Sequence, residues 1–220
     1  KEPDGIVEEN NNPTLQRANS LKRIELSYDE HFNAIKDADD DDFIMLSDND
    51  EIPNLDSEDF KKNKNDIVIF NQLFFYFKFN LLYDRMLWPG TKGCRKKNLK
   101  SFSWLRNIKF KKYPIWRIDT YFSNTKYSNL NIINGGGWHF TNLKSPEDMF
   151  EKFMNFGHHD EFKLSGITVD KIRDKISKRE MFYDHFADKS SKNKWDSDYK
   201  LKKLILTFCQ DILQVIEKNT

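Results

Sequence analysis

The chain has 220 residues and a mass of 26.4 kDa, enough for one full domain and short of two. Its 36 Lys and Arg against 35 Asp and Glu leave a formal charge of +1, which argues against a dedicated nucleic-acid binder. Two cysteines, Cys94 and Cys209, exclude a disulfide scaffold and a Cys-rich zinc module, and no apolar run approaches the ~20 residues that span a bilayer.

Residues 1–13 read as a polar lead-in. The chain opens on Lys1 and shows no signal peptide, so a fragment that lacks its true N-terminus is expected. Thr14 is placed to cap a helix to about Lys36, with Leu15, Ala18, Ile24, Tyr28, Phe32 and Ile35 at helical spacing. The acidic run Asp37–Asp42 reads as a solvated turn, since the glycine and terminal glutamate of a calcium loop are absent. Phe43-Ile44-Met45-Leu46 is a short, continuous apolar run and predicts a central strand buried on both faces. A short helix is predicted over 54–62, and a strand over 66–80 that bends near Asn71-Gln72. The segment 83–112 is basic and aromatic, with turn signals at Pro89-Gly90 and Gly93. Strands are predicted over 116–121 and 130–133, followed by a tight loop at Asn134-Gly135-Gly136-Gly137. Ser145-Pro146-Glu147-Asp148 is a helix start, Thr168 caps a further helix to Ser177, and 198–218 reads as a long amphipathic helix. This order gives an α/β chain with a helical C-terminal part. The nineteen Phe supply the apolar area for its core.

Three clusters can carry chemistry. Asp48-Asn49-Asp50 puts two carboxylates in the turn after a buried strand, where open sheets bind ligands. Hard oxygen donors of this kind suit Mn²⁺ or Mg²⁺, which keeps positions for substrate phosphates. The structural alternative is an Asp-rich turn before Pro53, with Asp48 capping the next helix. In Gly135-Gly136-Gly137-Trp138-His139-Phe140 the glycines let a ligand approach the backbone, Trp138 offers a flat face to a sugar or base, and His139 suits a metal or phosphate. A strand-to-helix turn with a core tryptophan explains the same residues. His158-His159-Asp160-Glu161 offers a metal-binding histidine and a carboxylate base, or simply histidines at a helix C-terminus.

Together these clusters resemble glycosyltransferase family 17, the β-1,4-mannosyl-glycoprotein β-1,4-N-acetylglucosaminyltransferase family. Ser47-Asp48-Asn49-Asp50-Glu51-Ile52-Pro53 resembles its Ser-Asp-x-Asp-Glu-Ile-Pro. Gly137-Trp138-His139-Phe140 resembles its Gly-Trp-His-Phe-Ser, with Thr141 for the serine. Phe156 to Phe162 is similar to its Phe-Ala-His-x-Glu-Phe with one residue added, and His159 rather than His158 preserves His-x-Glu-Phe. Gln16-Arg17 resembles the Gln-Arg that opens the helix before the acidic strand. The motifs follow in order over residues 14–185, which would form the catalytic domain, with 186–220 as a C-terminal helix. Two departures stand out. Lys144-Ser145 replaces the family's Gly-Gly, and the first strand of the fold has no counterpart before Thr14.

The resemblance implies a GT-A-like mixed sheet flanked by helices, lacking its N-terminal strand or strands. It implies inverting transfer of a sugar, N-acetylglucosamine in the family, from a UDP-sugar donor to a glycan acceptor. Asp48, Asp50 and His159 would be metal ligands for Mn²⁺ or Mg²⁺. Glu161 would be the general base, with His139 also catalytic. Arg17, Glu51, Gly136, Gly137 and Trp138 would bind donor or acceptor. A non-catalytic carbohydrate-binding homologue is the alternative, and a polyanion-binding module using Lys92 to Lys112 ranks below it. With no anchor visible, a cytoplasmic location is expected, or the Golgi lumen for a eukaryotic member whose anchor is missing.

Overall fold

A computed structural model describes residues 4–7, 12–155, 159–186, 195 and 197–204. They fall into two compact units that interleave along the chain. The first comprises Lys1–Gln72 and Trp88–Trp138, the second Leu73–Leu87 and His139–Thr220.

The first unit begins with α1 (Pro13–Asp29), followed by a 3₁₀ turn over Glu30–Ile35. Asn12, not Thr14, is its N-cap: the Asn12 side chain accepts from the amides of Thr14 and Leu15, and Pro13 takes the first helical position, where it has no amide to satisfy. Ahead of it, Asn19 exchanges two hydrogen bonds with the backbone of Val7.

The sheet of this unit is mixed. β1 (Phe43–Leu46) runs antiparallel to β5 (Trp88–Arg95), β5 runs antiparallel to β3 (Ile67–Tyr76), and β3 runs parallel to β6 (Leu130–Ile133). Side chains alternate between two apolar layers, as the period of a strand requires. Ile44, Leu46, Ile67, Ile69, Cys94 and Leu130 share one layer with Phe102, Leu105 and Ile108. Val68, Phe70 and Ile133 meet Phe43, Met45 and Phe60 on the other. Phe102 and Leu105 belong to α3 (Phe102–Asn107), and Phe60 to α2 (Glu58–Lys61). Both faces of β1 are therefore covered, as its apolar run predicts, but β1 is the terminal strand of the path and not a central one. Close to the predicted bend, β3 shifts its register against β5 between Ile69 and Asn71.

Two further expectations for this unit are corrected. Gly90 and Gly93 do not mark turns; both lie inside β5. A Cβ on Gly93 would sit 2.4 Å from the Phe43 ring, so the glycine makes room for a neighbour across the sheet. Residues 116–121 are not a strand but a loop holding a 3₁₀ turn, Ile118–Thr120.

The second unit contains the end of β3, β4 (Leu81–Leu82), the end of β7 (Gly137–Thr141) and β8 (Lys202–Lys203). β4 pairs antiparallel with β3 and with β8. Its helices are α4 (Pro146–Asn155), α5 (His159–Ser165) and α6 (Val169–Lys178). Ser145 and Thr168 cap α4 and α6 through their hydroxyls, as the sequence predicts. Phe153, Phe162, Phe182 and Trp195 interlock by ring contacts into an aromatic core. The helix predicted over 198–218 is corrected at its start: Lys200 bridges to Glu180 and Lys202–Lys203 form β8, with Leu201 buried between exposed lysines. The rest of that prediction, from residue 205 on, lies outside the described residues.

Candidate functional site

The acidic turn is built by its own strand ends. β1 stops at Leu46, and β2 (Glu51–Pro53) starts five residues later. The Glu51 amide donates to the Asp48 carbonyl (3.0 Å) and closes the turn. Ser47 donates to the Glu51 carbonyl (3.2 Å) and shares a 2.6 Å hydrogen bond with the Thr91 hydroxyl on β5. The Glu51 side chain turns inward and is buried. Its Oε1 accepts from the Trp88 indole (2.7 Å), and its Oε2 from the Asp48 amide (3.2 Å) and the Thr91 hydroxyl (3.4 Å). A buried carboxylate is tolerated only when it is hydrogen-bonded in this way. Glu51 thus supports the turn from behind, and Asp48 and Asp50 are left half-buried at its rim.

Two cations complete this corner: Lys92, which the sequence offers to a polyanion, and Arg106, which it does not single out. Arg106 closes α3 and places its Nη1 2.8 Å from Asp48 Oδ2. Lys92 on β5 donates to the carbonyls of Arg106 and Ile108 (2.5 and 2.7 Å), groups that the end of α3 leaves without helical partners. Burial, with the Arg106 charge adding to it, pushes the Lys92 ammonium down to about 8. Burial also works against the Arg106 charge, but Asp48 and Tyr28 outweigh it and the net shift is upward. The signal available in the sequence was the basic stretch itself, which reads as a surface for a polyanion, whereas β5 and α3 turn Lys92 and Arg106 towards the acidic turn.

The glycine loop meets the same segment through its backbone. Gly136 donates to the Asn71 carbonyl (3.0 Å), and the Asn54 amide donates to the Gly136 carbonyl (3.1 Å). Asn54 Nδ2 donates to the Gly135 carbonyl (3.2 Å), 81 positions along the chain. Gly137 has φ +113°, and a Cβ there would lie 2.0 Å from the Ile52 carbonyl. Gly136 and Gly137 are buried and give their close approach to β2, a packing role that accounts for the Gly-Gly pair by itself. Trp138 follows, half-buried, in β7.

The remaining predicted residues are placed as follows. His139 belongs to the second unit, where it is buried and stacked on Phe74 with ring centroids 4.8 Å apart. Glu161 is exposed on α5. Position 17 lies in α1 and position 159 begins α5. His158 lies outside the described residues.

Asp48 and Asp50, with Asn49 between them, offer only hard oxygen donors, a set that fits Mn²⁺ or Mg²⁺. Among the described residues no group of three or more His, Cys, Asp and Glu converges.

Strands and helices of this kind define an α/β protein on a mixed sheet, with an acidic turn at the carboxyl end of β1. No helix among the described residues is long and apolar enough to cross a membrane. No family model, curated protein or solved structure matches the chain.

Proposed function

We propose that the chain is a metal-dependent, inverting glycosyltransferase of GT-A type, moving a sugar from a UDP-sugar to a glycan acceptor. The resemblance points to N-acetylglucosamine as that sugar. The observation that carries this reading is the turn at Asp48-Asn49-Asp50: two carboxylates at a strand end, braced from behind by Glu51. Asp48 and Asp50 would hold Mn²⁺ or Mg²⁺, which when bound neutralises charge on the departing diphosphate. Arg106 adds a fixed positive charge beside Asp48, suited to the same anion. Trp138 would face a sugar ring, and Arg17 would serve the donor. Glu161 would take the proton of the acceptor hydroxyl as its oxygen bonds to the anomeric carbon and the bond to UDP breaks. The resemblance would make His159 a metal or phosphate partner and His139 a catalytic residue. These last assignments rest on the resemblance.

The second reading, a non-catalytic carbohydrate-binding homologue, is favoured by the Asp48–Arg106 pair, which occupies one of the two carboxylates. UDP-sugar binding and hydrolysis, each measured with and without Mn²⁺, separate the two. The enzyme reading expects Mn²⁺-dependent binding and slow hydrolysis, with binding lost in Asp50→Asn while the fold persists. An Asp50→Asn variant that binds UDP-sugar and Mn²⁺ as before overturns the metal assignment.

A further inference from the structure

A loop in the first unit holds a cluster of large apolar side chains out in water. Ile115 is 70% exposed, Trp116 81%, Ile118 72%, Tyr121 70% and Phe122 86%. Single exposed apolar residues are ordinary, but five within eight positions form a patch of the sort that marks an interaction surface.

The loop is braced in this shape. Tyr113 and Thr120 are buried and root it. The Tyr121 hydroxyl donates to the Ile115 carbonyl (3.1 Å), and the Thr120 hydroxyl to the Arg117 carbonyl (2.7 Å). Asp119 is held between Arg117 (2.6 Å) and Lys126 (2.7 Å). The Arg117 and Lys111 charges lie 5.2 and 5.6 Å from the centre of the Tyr113 ring. The backbone bonds and the buried anchors direct the apolar groups outward.

Charge narrows the partner. Over 109–126 the chain carries five cations, Lys109, Lys111, Lys112, Arg117 and Lys126, and one carboxylate, Asp119, in a protein whose formal charge is only +1. A sugar or nucleic-acid platform would use the aromatic faces, but it has no use for Ile115 and Ile118, which carry neither a π-face nor a polar group. A bilayer surface uses all of them. Aliphatic side chains enter the acyl boundary, Trp and Tyr settle at headgroup level, and the lysines meet anionic lipid. Membrane attachment of this kind takes two signals, apolar insertion and a basic patch, and the loop supplies both.

We propose that this loop docks the protein peripherally on an anionic phospholipid surface. The proposal is independent of the enzymatic reading, because lipid binding is measured without donor, acceptor or metal. The experiment is co-sedimentation of the full chain with vesicles of phosphatidylcholine alone and of phosphatidylcholine with phosphatidylserine. Three proteins are compared: wild type, Trp116→Ser/Phe122→Ser and Lys111→Gln/Lys112→Gln. The altered side chains are exposed, so far-UV circular dichroism should be unchanged. Binding should be roughly tenfold stronger to the anionic vesicles, should weaken about tenfold in the apolar variant, and should weaken severalfold in the lysine variant, with added salt mimicking the latter. Equal sedimentation of wild type and apolar variant overturns the proposal. So does light scattering that shows wild-type dimers lost in the apolar variant, which would assign the patch to a second copy of this chain. Binding to heparin that tracks the vesicle binding and ignores Trp116 and Phe122 would overturn it in favour of a soluble polyanion.

Discussion

The Arg106 guanidinium lies 2.8 Å from Asp48 Oδ2, and both side chains are about one-third exposed. At that exposure the pair contributes about 1 kcal/mol or less to stability. Its consequence for a metal is larger in kind than in energy, because the guanidinium and the ion would compete for the same carboxylate. Replacing Arg106 by Met should therefore tighten Mn²⁺ binding to the protein alone by about fivefold, the ratio that 1 kcal/mol supplies. Asp48→Asn should weaken it. Electron paramagnetic resonance of free Mn²⁺ measures both, and an Arg106→Met variant with wild-type affinity would remove Asp48 from the ligand set.

Glu51 makes a structural prediction. Its carboxylate accepts from the Trp88 indole and from the Asp48 amide. In Glu51→Gln one acceptor oxygen becomes an NH₂, which must face a donor in a buried place. The expected cost is about 1–3 kcal/mol, read from urea unfolding. Trp88→Phe, which removes only the indole donor, should cost less. A Glu51→Gln variant of wild-type stability would show that the carboxylate does not brace the turn.

The glycine loop separates two causes of strain. Gly135 has φ +62° with nothing within 4 Å of an added Cβ, so Gly135→Ala should cost about 1–2 kcal/mol, the ordinary left-handed penalty. Gly137 has φ +113° and a Cβ position 2.0 Å from the Ile52 carbonyl and 2.8 Å from the Asn54 amide. Gly137→Ala must displace β2, and it should cost at least twice as much. Equal losses in thermal or urea unfolding would mean that β2 does not rest on this glycine.

Features that depend on neighbours in sequence were legible. The apolar runs of β1 and β6 and the Ser145 and Thr168 caps are local signals, and the structure has each of them. Features that depend on distant residues were not. Gly93 reads as a turn because nothing beside it in sequence shows that the Phe43 ring will cover it. The spacing of Leu201, Leu204 and Ile205 is helical, but the bridge from Lys200 to Glu180 and the Leu201 amide's bond to the Arg179 carbonyl, both made with residues about twenty positions earlier, override it at the start of the segment. For the site, Asp48 and Asp50 were visible as a motif. Arg106 was hidden in a basic stretch that reads as a polyanion surface, because its partner lies 58 positions earlier.

Lys92 gives the site a pH signature. Its ammonium falls from the ordinary 10.5 to about 8, mainly through burial. Below pH 8 the folded and unfolded chains both carry the proton, and the cost of a buried charge is present in full. Between about 8 and 10.5 the unfolded chain binds more protons than the folded one, so stability rises with pH through that interval. Cys94 acts in the opposite sense higher up. Burial, helped by the Asp66 charge, raises its thiol from 9.0 to about 12, so the unfolded chain ionises first and stability falls as pH passes 9. From pH 8 to 9 the lysine outweighs the thiol, and comparison with a variant that keeps Cys94 isolates it. Wild type should gain stability there at a slope of up to about 1.4 kcal/mol per pH unit, the limit for one proton. Lys92→Met keeps the length of the side chain and removes the titration. It should be less stable throughout, because the Arg106 and Ile108 carbonyls lose their donor, and it should lack the rise. Urea unfolding at pH 7, 8 and 9 for both proteins is the test. Parallel curves across that range would show that Lys92 titrates normally and is not buried behind the Asp48 turn.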